Sequence, residues 1–239
     1  MTKISAKNLD FASLGQILRS IREDAEVTDC LGQRFIAAGM GPKRVEIHGV
    51  PGNALGAYLN GAEIEVFGNA QDAVGDTMND GRIVIHGAVG DTAGYAMRGG
   101  KILVEKDAGY RAGIHMKEYE GKLPTLVIGG RAGSFLGEYL AGGRIVVLGL
   151  GGEGPIVGNF PCTGMHGGKV YLRSDCRDVI FPSQVHARPA TEEDLSEIRD
   201  SLEEFAGLFH QDPSAILKHP FTVVTPDSKN PYRQMYVAN

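Results

Sequence analysis

Apolar positions along this chain follow two superimposed periods. Between residues 45 and 173, short runs alternate apolar and polar side chains, and each run returns after about 19 residues. Val45, Ile64, Ile83, Ile102, Leu126 and Ile145 share one register; Ile47, Val66, Ile85, Val104, Ile128 and Val147 share the register two residues on. That alternation is the mark of a strand with one buried face. Further along each copy, Leu55, Val74, Ala93, Ala112 and Leu136 align, as do Leu59, Met78, Met97, Met116 and Leu140. A chain apolar at equivalent points of every copy is satisfied by coils that stack their inward side chains. The prediction is an all-β solenoid, a parallel β-helix of about six or seven coils.

Glycines punctuate the same repeat. The copy lead falls at Gly49, Gly68, Gly87, Lys106, Gly130 and Gly149, with one lengthened step into Gly130. Gly52, Gly56, Gly75, Gly90, Gly94, Gly109, Gly113, Gly133 and Gly137 recur behind the leads. A coil of this size turns several corners, where Cβ is disfavoured either by the backbone angle or by the coil stacked against it. At an interstrand spacing of roughly 4.8 Å the rod would be on the order of 30 Å long. Lys106 and Gln71 stand where the pattern asks for glycine, so the corner there tolerates a side chain or is locally wider.

The flanks read differently. Residues 1–44 are expected to form an N-terminal cap: Phe11, Leu14, Ile17, Leu18 and Ile21 follow Asp10 at helical spacing, predicting a short helix from Phe11 to Arg22. After the repeat domain 45–173, residues 174–239 should hold a helix and an extended tail lying on the rod or on a partner. Thr191 caps that helix, acids fill its first turn, and Leu195, Ile198, Leu202, Phe205 and Leu208 share one face. Asp212 to Leu217 adds a turn, and Phe221, Tyr232 and Tyr236 mark the tail as one that gains order by contact.

The outward strand position runs Glu46, Glu65, Val84, Leu103, Val127, Val146. The later coils therefore carry an apolar outer face that the C-terminal helix or another chain, a second copy included, must cover. A basic row, Arg44, Arg82, Lys101, Arg144 and Lys169, runs beside it and is either a solvated corner or a ridge that meets acid.

Composition narrows the classes. The net charge of −5 gives no reason to expect nucleic acid or an anionic membrane as partner. No apolar run is long enough to span a bilayer and Met1-Thr2-Lys3-Ile4 opens no signal peptide, so a cytoplasmic protein is expected. Cys30, Cys162 and Cys176 are odd in number and far apart, which fits reduced thiols.

Candidate chemistry is sparse. The G-x-G patterns do not join a strand to a helix in a βαβ unit, so a nucleotide site has little support. Met78, Met97 and Met116 could suggest a soft metal, but Leu59 and Leu140 hold the same register and core packing explains all five. His48 and His86 align with Phe67 between them and Glu105 after, which builds no metal cluster. Cys162 and His166 are the one Cys/His pair at close spacing, in the irregular coil Gly151 to Gly168, and are weak candidates for zinc or thiolate chemistry. No residue is assigned as catalytic, metal-binding or cofactor-binding.

The segments Gly52–Tyr58, Asn69–Gly75, Gly137–Gly143 and Gly158–Gly168 resemble the glycine-repeat domain near the C-terminus of the glutamate synthase large subunit. The resemblance covers over half the chain and implies a right-handed β-helix. It also implies a stand-alone, non-catalytic scaffold subunit that positions a separate glutaminase-type amidotransferase and a flavin-dependent synthase, in glutamine-dependent amidotransfer to 2-oxoglutarate. FMN and iron–sulfur centres are expected in those partners, none in this chain. Similar glycine-repeat subunits serve formylmethanofuran dehydrogenase, formyltransferase/hydrolase complexes and N-methylglutamate synthase, which form the alternative reading.

Overall fold

A computed structural model describes residues 1–152 and 154–228. Strand β1 (Thr2–Ser5) leads into helix α1 (Phe11–Ser20) and β2 (Ala25–Leu31). There follow β3 (Arg44–Val50), β4 (Asn60–Phe67), β5 (Asp80–Ile85), β6 (Lys101–Val104), β7 (Thr125–Ile128), β8 (Ala141–Val147) and β9 (Gly167–Leu172). These nine strands stack in chain order as one parallel ladder, joined by eight turns of a β-solenoid. The chain ends with β10 (Val185–Pro189), α2 (Glu192–Leu208), α3 (Pro213–Leu217) and β11 (Thr222–Pro226). Strand β11 adds antiparallel to β9, and β10 to β11.

The pairing reproduces the repeat register: Val45 lies beside Ile64, Ile64 beside Ile83, Ile83 beside Ile102, Ile102 beside Leu126 and Leu126 beside Ile145. All six side chains are at most 1% exposed. Each such aliphatic contributes about 1.5–3 kcal/mol relative to an exposed one. The lengthened step is absorbed by a turn over 117–124, in which Tyr119 and Lys122 exchange backbone hydrogen bonds. Lys122 Nζ holds it to Asp80 at 2.8 Å and Arg98 sits over the Tyr119 ring.

The solenoid has more turns than the repeat alone predicts, because β1 and β2 join the ladder at its N-terminal end. The segment before residue 45 therefore carries strands as well as α1. Asp10 caps α1 by accepting from Ser13 N–H, and Leu14 and Leu18 bury in the rod core.

Corners are built from left-handed residues spaced two apart: Ala54, Gly56 and Tyr58; Ala73, Gly75 and Thr77; Thr92, Gly94 and Ala96; Arg111, Gly113 and His115; Phe135, Gly137 and Tyr139. Alternation turns successive N–H groups in opposite directions along the rod. Ala73 and Thr77 donate forward to Asp91 and Tyr95 carbonyls, while Gly75 donates back to Leu55. A left-handed residue costs roughly 1–2 kcal/mol, and these inter-coil hydrogen bonds offset it. Only the middle residue faces inward: a Cβ on Gly75 would lie 2.4 Å from Ile102 Cδ1. Other glycines answer crowding alone. Gly90 is not left-handed, yet a Cβ there would sit 2.1 Å from Asp72 Oδ1. Neither Lys106 nor Gln71 adopts the left-handed conformation, so both side chains are accommodated without backbone strain.

A second core lies outside the rod. Val84, Leu103, Val127, Val146 and Tyr171 pack with Ile198, Leu202, Phe205 and Phe209, so α2 covers the apolar outer face of the later coils. The surface expected to receive a partner is occupied by the chain's own helix. Four of the five residues of the basic row find acids there: Glu204 takes Arg82 and Lys101, and Glu197 takes Arg144 and Lys169, while Arg44 pairs with Glu46 and Glu65 of the rod. At its N-terminus Thr191 and Asp194 form a capping box, and Asp194 also accepts Arg188 Nη1 at 2.6 Å. Phe221, the first aromatic of the tail, is buried at 5% exposure; Tyr232 and Tyr236 lie outside the described residues.

Candidate functional site

Cys162 and His166 are four residues apart but serve different environments. Phe160, Cys162 and Gly164 repeat the left-handed corner triplet with φ of 58°, 61° and 70°, so Cys162 fills the inward slot held by glycine in earlier coils. It is fully buried, and that burial, with Cys176 nearby, pushes its thiol up to about 12. A thiol held protonated is a poor nucleophile and a poor metal ligand. Cys30, beside the lead Gly49 in the ladder, is likewise raised by burial to about 11. Cys176 is buried and its thiol is also raised.

His166 turns outward instead. Its Nδ1 lies 3.0 Å from the Gly164 carbonyl, an arrangement in which Nδ1–H donates. The ring lines an open cleft of about 550 Å³ between the 117–124 turn and the start of β8 and β9. Lys117, Glu118, Arg144, Lys169 and Glu197 complete the polar lining over a floor of Gly142, Gly143, Gly167 and Gly168. Cys162 does not line this cleft, so thiol and imidazole form no catalytic pair there.

Glu197 is the most heavily engaged group at the cleft. It accepts from Lys169 Nζ, from Arg144 Nη2 at 3.2 Å and from Tyr171 OH at 3.1 Å. Burial opposes its ionisation, but the Lys169 and Tyr171 hydrogen bonds and the two cations outweigh burial and hold the carboxyl below its ordinary range. Tyr171 is correspondingly raised, first by burial and then by the Glu197 charge. The same balance governs Glu204, where Lys101 and Arg82 overcome burial. These groups fasten α2 and are spent on doing so.

The remaining candidates sit in packing roles. Met78, Met97 and Met116 are fully buried in the rod core. His48, Phe67 and His86 stack with centroids 4.8 and 4.9 Å apart, and Phe209 meets His86 edge-on at 5.2 Å. Among the described residues no three His, Cys, Asp or Glu side chains group as metal ligands. No described helix is long and apolar enough to cross a membrane.

One set of structural residues went unread in the sequence. Asp72 Oδ1 accepts Asp91 N–H at 2.9 Å, Asp91 Oδ1 accepts Tyr110 N–H at 2.8 Å, and Asn69 Oδ1 accepts Ala88 N–H at 2.9 Å, each bond joining one coil to the next. The signal was present: Asn53, Asp72 and Asp91 fall 19 residues apart. Glu197 and Glu204 were legible too, seven residues apart and so on one helix face.

Stacked coils whose described side chains fill core, corner and helix attachment define a β-solenoid domain. The chain belongs to the GXGXG motif family, matched over residues 13–227, the glycine-rich domain of the glutamate synthase large subunit. An uncharacterized protein of Methanocaldococcus jannaschii, MJ1350, is 42% identical over 248 residues, covering 98% of this chain and 95% of that protein.

Proposed function

We propose that this chain is a stand-alone scaffold subunit of a glutamate synthase-type complex. In that role it holds a glutaminase-type amidotransferase and a flavin-dependent synthase, with FMN and iron–sulfur centres in those partners, for glutamine-dependent amidotransfer to 2-oxoglutarate in the cytoplasm. The observation that supports this most is the family match, which covers residues 13–227. The packed interior adds a constraint. Isoleucine, leucine and methionine ladders fill the rod, so ammonia would travel within or between the partners, along the outside of this subunit.

Affinity purification of the chain from its native source tests the reading. Co-elution of a glutaminase and a flavoprotein, with glutamine-dependent glutamate formation lost when the scaffold is depleted, is the expected result. Elution as a lone stable species would overturn it, and elution with a formyltransferase or a molybdopterin subunit would replace it.

A further inference from the structure

Directly after the inward leucine or methionine of each coil the chain carries Asn60, Asn79, Arg98, Lys117, Ala141 and His166. The row is polar except at Ala141, and that gap lies in the open cleft. Ala141 N–H donates back to Met116 and His166 N–H back to Leu140, so Ala141 stands between Lys117 on the coil before and His166 on the coil after. Two coil spacings set those two backbones roughly 10 Å apart. Gly142 and Gly143 continue the floor, because their neighbours leave no room for side chains: a Cβ on Gly142 would lie 2.6 Å from Glu118 N, and one on Gly143 2.6 Å from the Pro124 carbonyl oxygen. Lys117 and Glu118 wall this bare floor on one side, His166 on the other, and Arg144, Lys169 and Glu197 at its far end.

The groups around the floor are unequally engaged. Glu197 is taken by Lys169, Arg144 and Tyr171, but Arg144 gives it only Nη2. Among the described residues, Arg144 Nε and Nη1, Lys117 Nζ, the Glu118 carboxylate and His166 Nε2 have no hydrogen-bond or ionic partner. With Nδ1–H donated to the Gly164 carbonyl, the neutral ring presents Nε2 as an acceptor. The cleft thus offers cationic donors together with one free carboxylate and one free acceptor. A simple anion would meet Glu118 and the His166 lone pair as repulsive groups, and a simple cation would meet Lys117 and Arg144. We infer that this cleft binds a small zwitterion of the amino-acid type, with its carboxylate on Lys117 and Arg144 and its ammonium on Glu118 and His166 Nε2. Charge-assisted hydrogen bonds of both signs then satisfy every unpartnered group at once, and about 550 Å³ leaves room for a side chain. The inference concerns this chain's own cleft and goes beyond its role in any complex.

Isothermal titration of the full chain with the natural L-amino acids, one at a time, tests it. At least one should bind, and its des-amino and decarboxylated counterparts should each bind at least about tenfold more weakly, as the loss of one charge-assisted contact requires. Lys117→Gln and Glu118→Gln, both at exposed positions of the turn, should each weaken the same amino acid about tenfold. Ala141→Leu, which fills the floor, should abolish binding; if it misfolds by circular dichroism, the two glutamine variants decide. Lys106→Gln, at the exposed lead position after β6, should leave the affinity unchanged. Absence of binding by every amino acid overturns the proposal. Equal affinity of the des-amino counterpart also overturns it and makes the cleft an anion site, as does an affinity that neither Lys117→Gln nor Glu118→Gln alters in a folded chain. None of these outcomes depends on which partners the chain holds.

Discussion

Replacing Gly90 with alanine tests whether the inter-coil carboxylate ladder is the reason for that glycine. The backbone at Gly90 is not left-handed, so conformation alone tolerates alanine, and reduced freedom in the unfolded chain would favour it by about 0.4–1 kcal/mol. The obstacle is steric: the new Cβ falls 2.1 Å from Asp72 Oδ1, with Asp72 N and Gln71 C both at 3.1 Å. Asp72 must swing away and release Asp91 N–H. The lost hydrogen bond costs about 1–1.5 kcal/mol, and the displaced rotamer roughly another 1. Gly90→Ala should therefore destabilise by about 1–2 kcal/mol net, and Asp72→Ala by about 1.

The double variant separates this from backbone crowding. With Asp72 already truncated, the bond is lost once and no side chain is displaced, so the pair should cost about 2–2.5 kcal/mol less than the sum of the singles. In a chain of this length 1 kcal/mol moves the thermal midpoint by about 2–4 °C, within reach of calorimetry or circular dichroism at one scan rate. Strict additivity would refute the explanation and transfer the glycine requirement to the backbone atoms of the preceding coil. Gly121→Ala is the counterpart: φ is +75° but a Cβ meets nothing within 4 Å, so only the conformational cost of about 1–2 kcal/mol applies.

Met97→Leu should lower stability by less than about 1.5 kcal/mol, whereas Met97→Ala should cost about 2–5; copper(I)-dependent stabilisation lost on Met97→Leu would contradict a pure packing role. Asp194, Glu197 and Glu204 all have lowered pKa values in the fold, so their stabilisation is complete above the unfolded carboxylate range, near 4, and drains away as pH falls below it. Thermal midpoints should accordingly hold from pH 8 to 5 and decline below about 4, and a Glu197→Gln/Glu204→Gln variant should show a shallower acid decline. Leu202→Asp buries a charge between α2 and the outer sheet face and should raise ANS fluorescence by freeing α2, with the far-ultraviolet strand signal retained; loss of the strand signal would mean that rod and helix are one cooperative unit.

The rod was legible because a solenoid stacks equivalent residues, so the spatial constraint reappears in the sequence as a fixed step. Val45 to Ile145 could be placed in register without coordinates, and the five extra residues before Thr125 interrupted the step without changing it. The first turns were not legible. Ala25 and Val27 lie beside Val45 and Ile47, but α1 stands where a corner would be, and Cys30 occupies the lead position, so the glycine phrase is missing. The outer face was read correctly as one that needs cover, while its occupant depended on tertiary pairing of Glu197 and Glu204 with a basic row far away in sequence.

Both terminal exceptions have one physical cause, and it locates what the repeat encodes. In the middle coils a Cβ at Gly113 would meet Ile145 Cδ1 at 2.3 Å, and one at Gly49 would meet Cys30 O at 2.2 Å. Each of these two glycines is thus a record of what packs against it from another coil. In the first and last coils that neighbour is incomplete, and side chains return: Cys30 at the lead, Ala37 and Cys162 at the inward corner slot, all buried. The glycines specify stacking, and the cysteines fill space where stacking stops. The repeat thus constrains shape at every coil, which suits the scaffold role proposed above. On that proposal, side chains that recognise a partner would have to reside in outward positions, where the repeat leaves residue choice free.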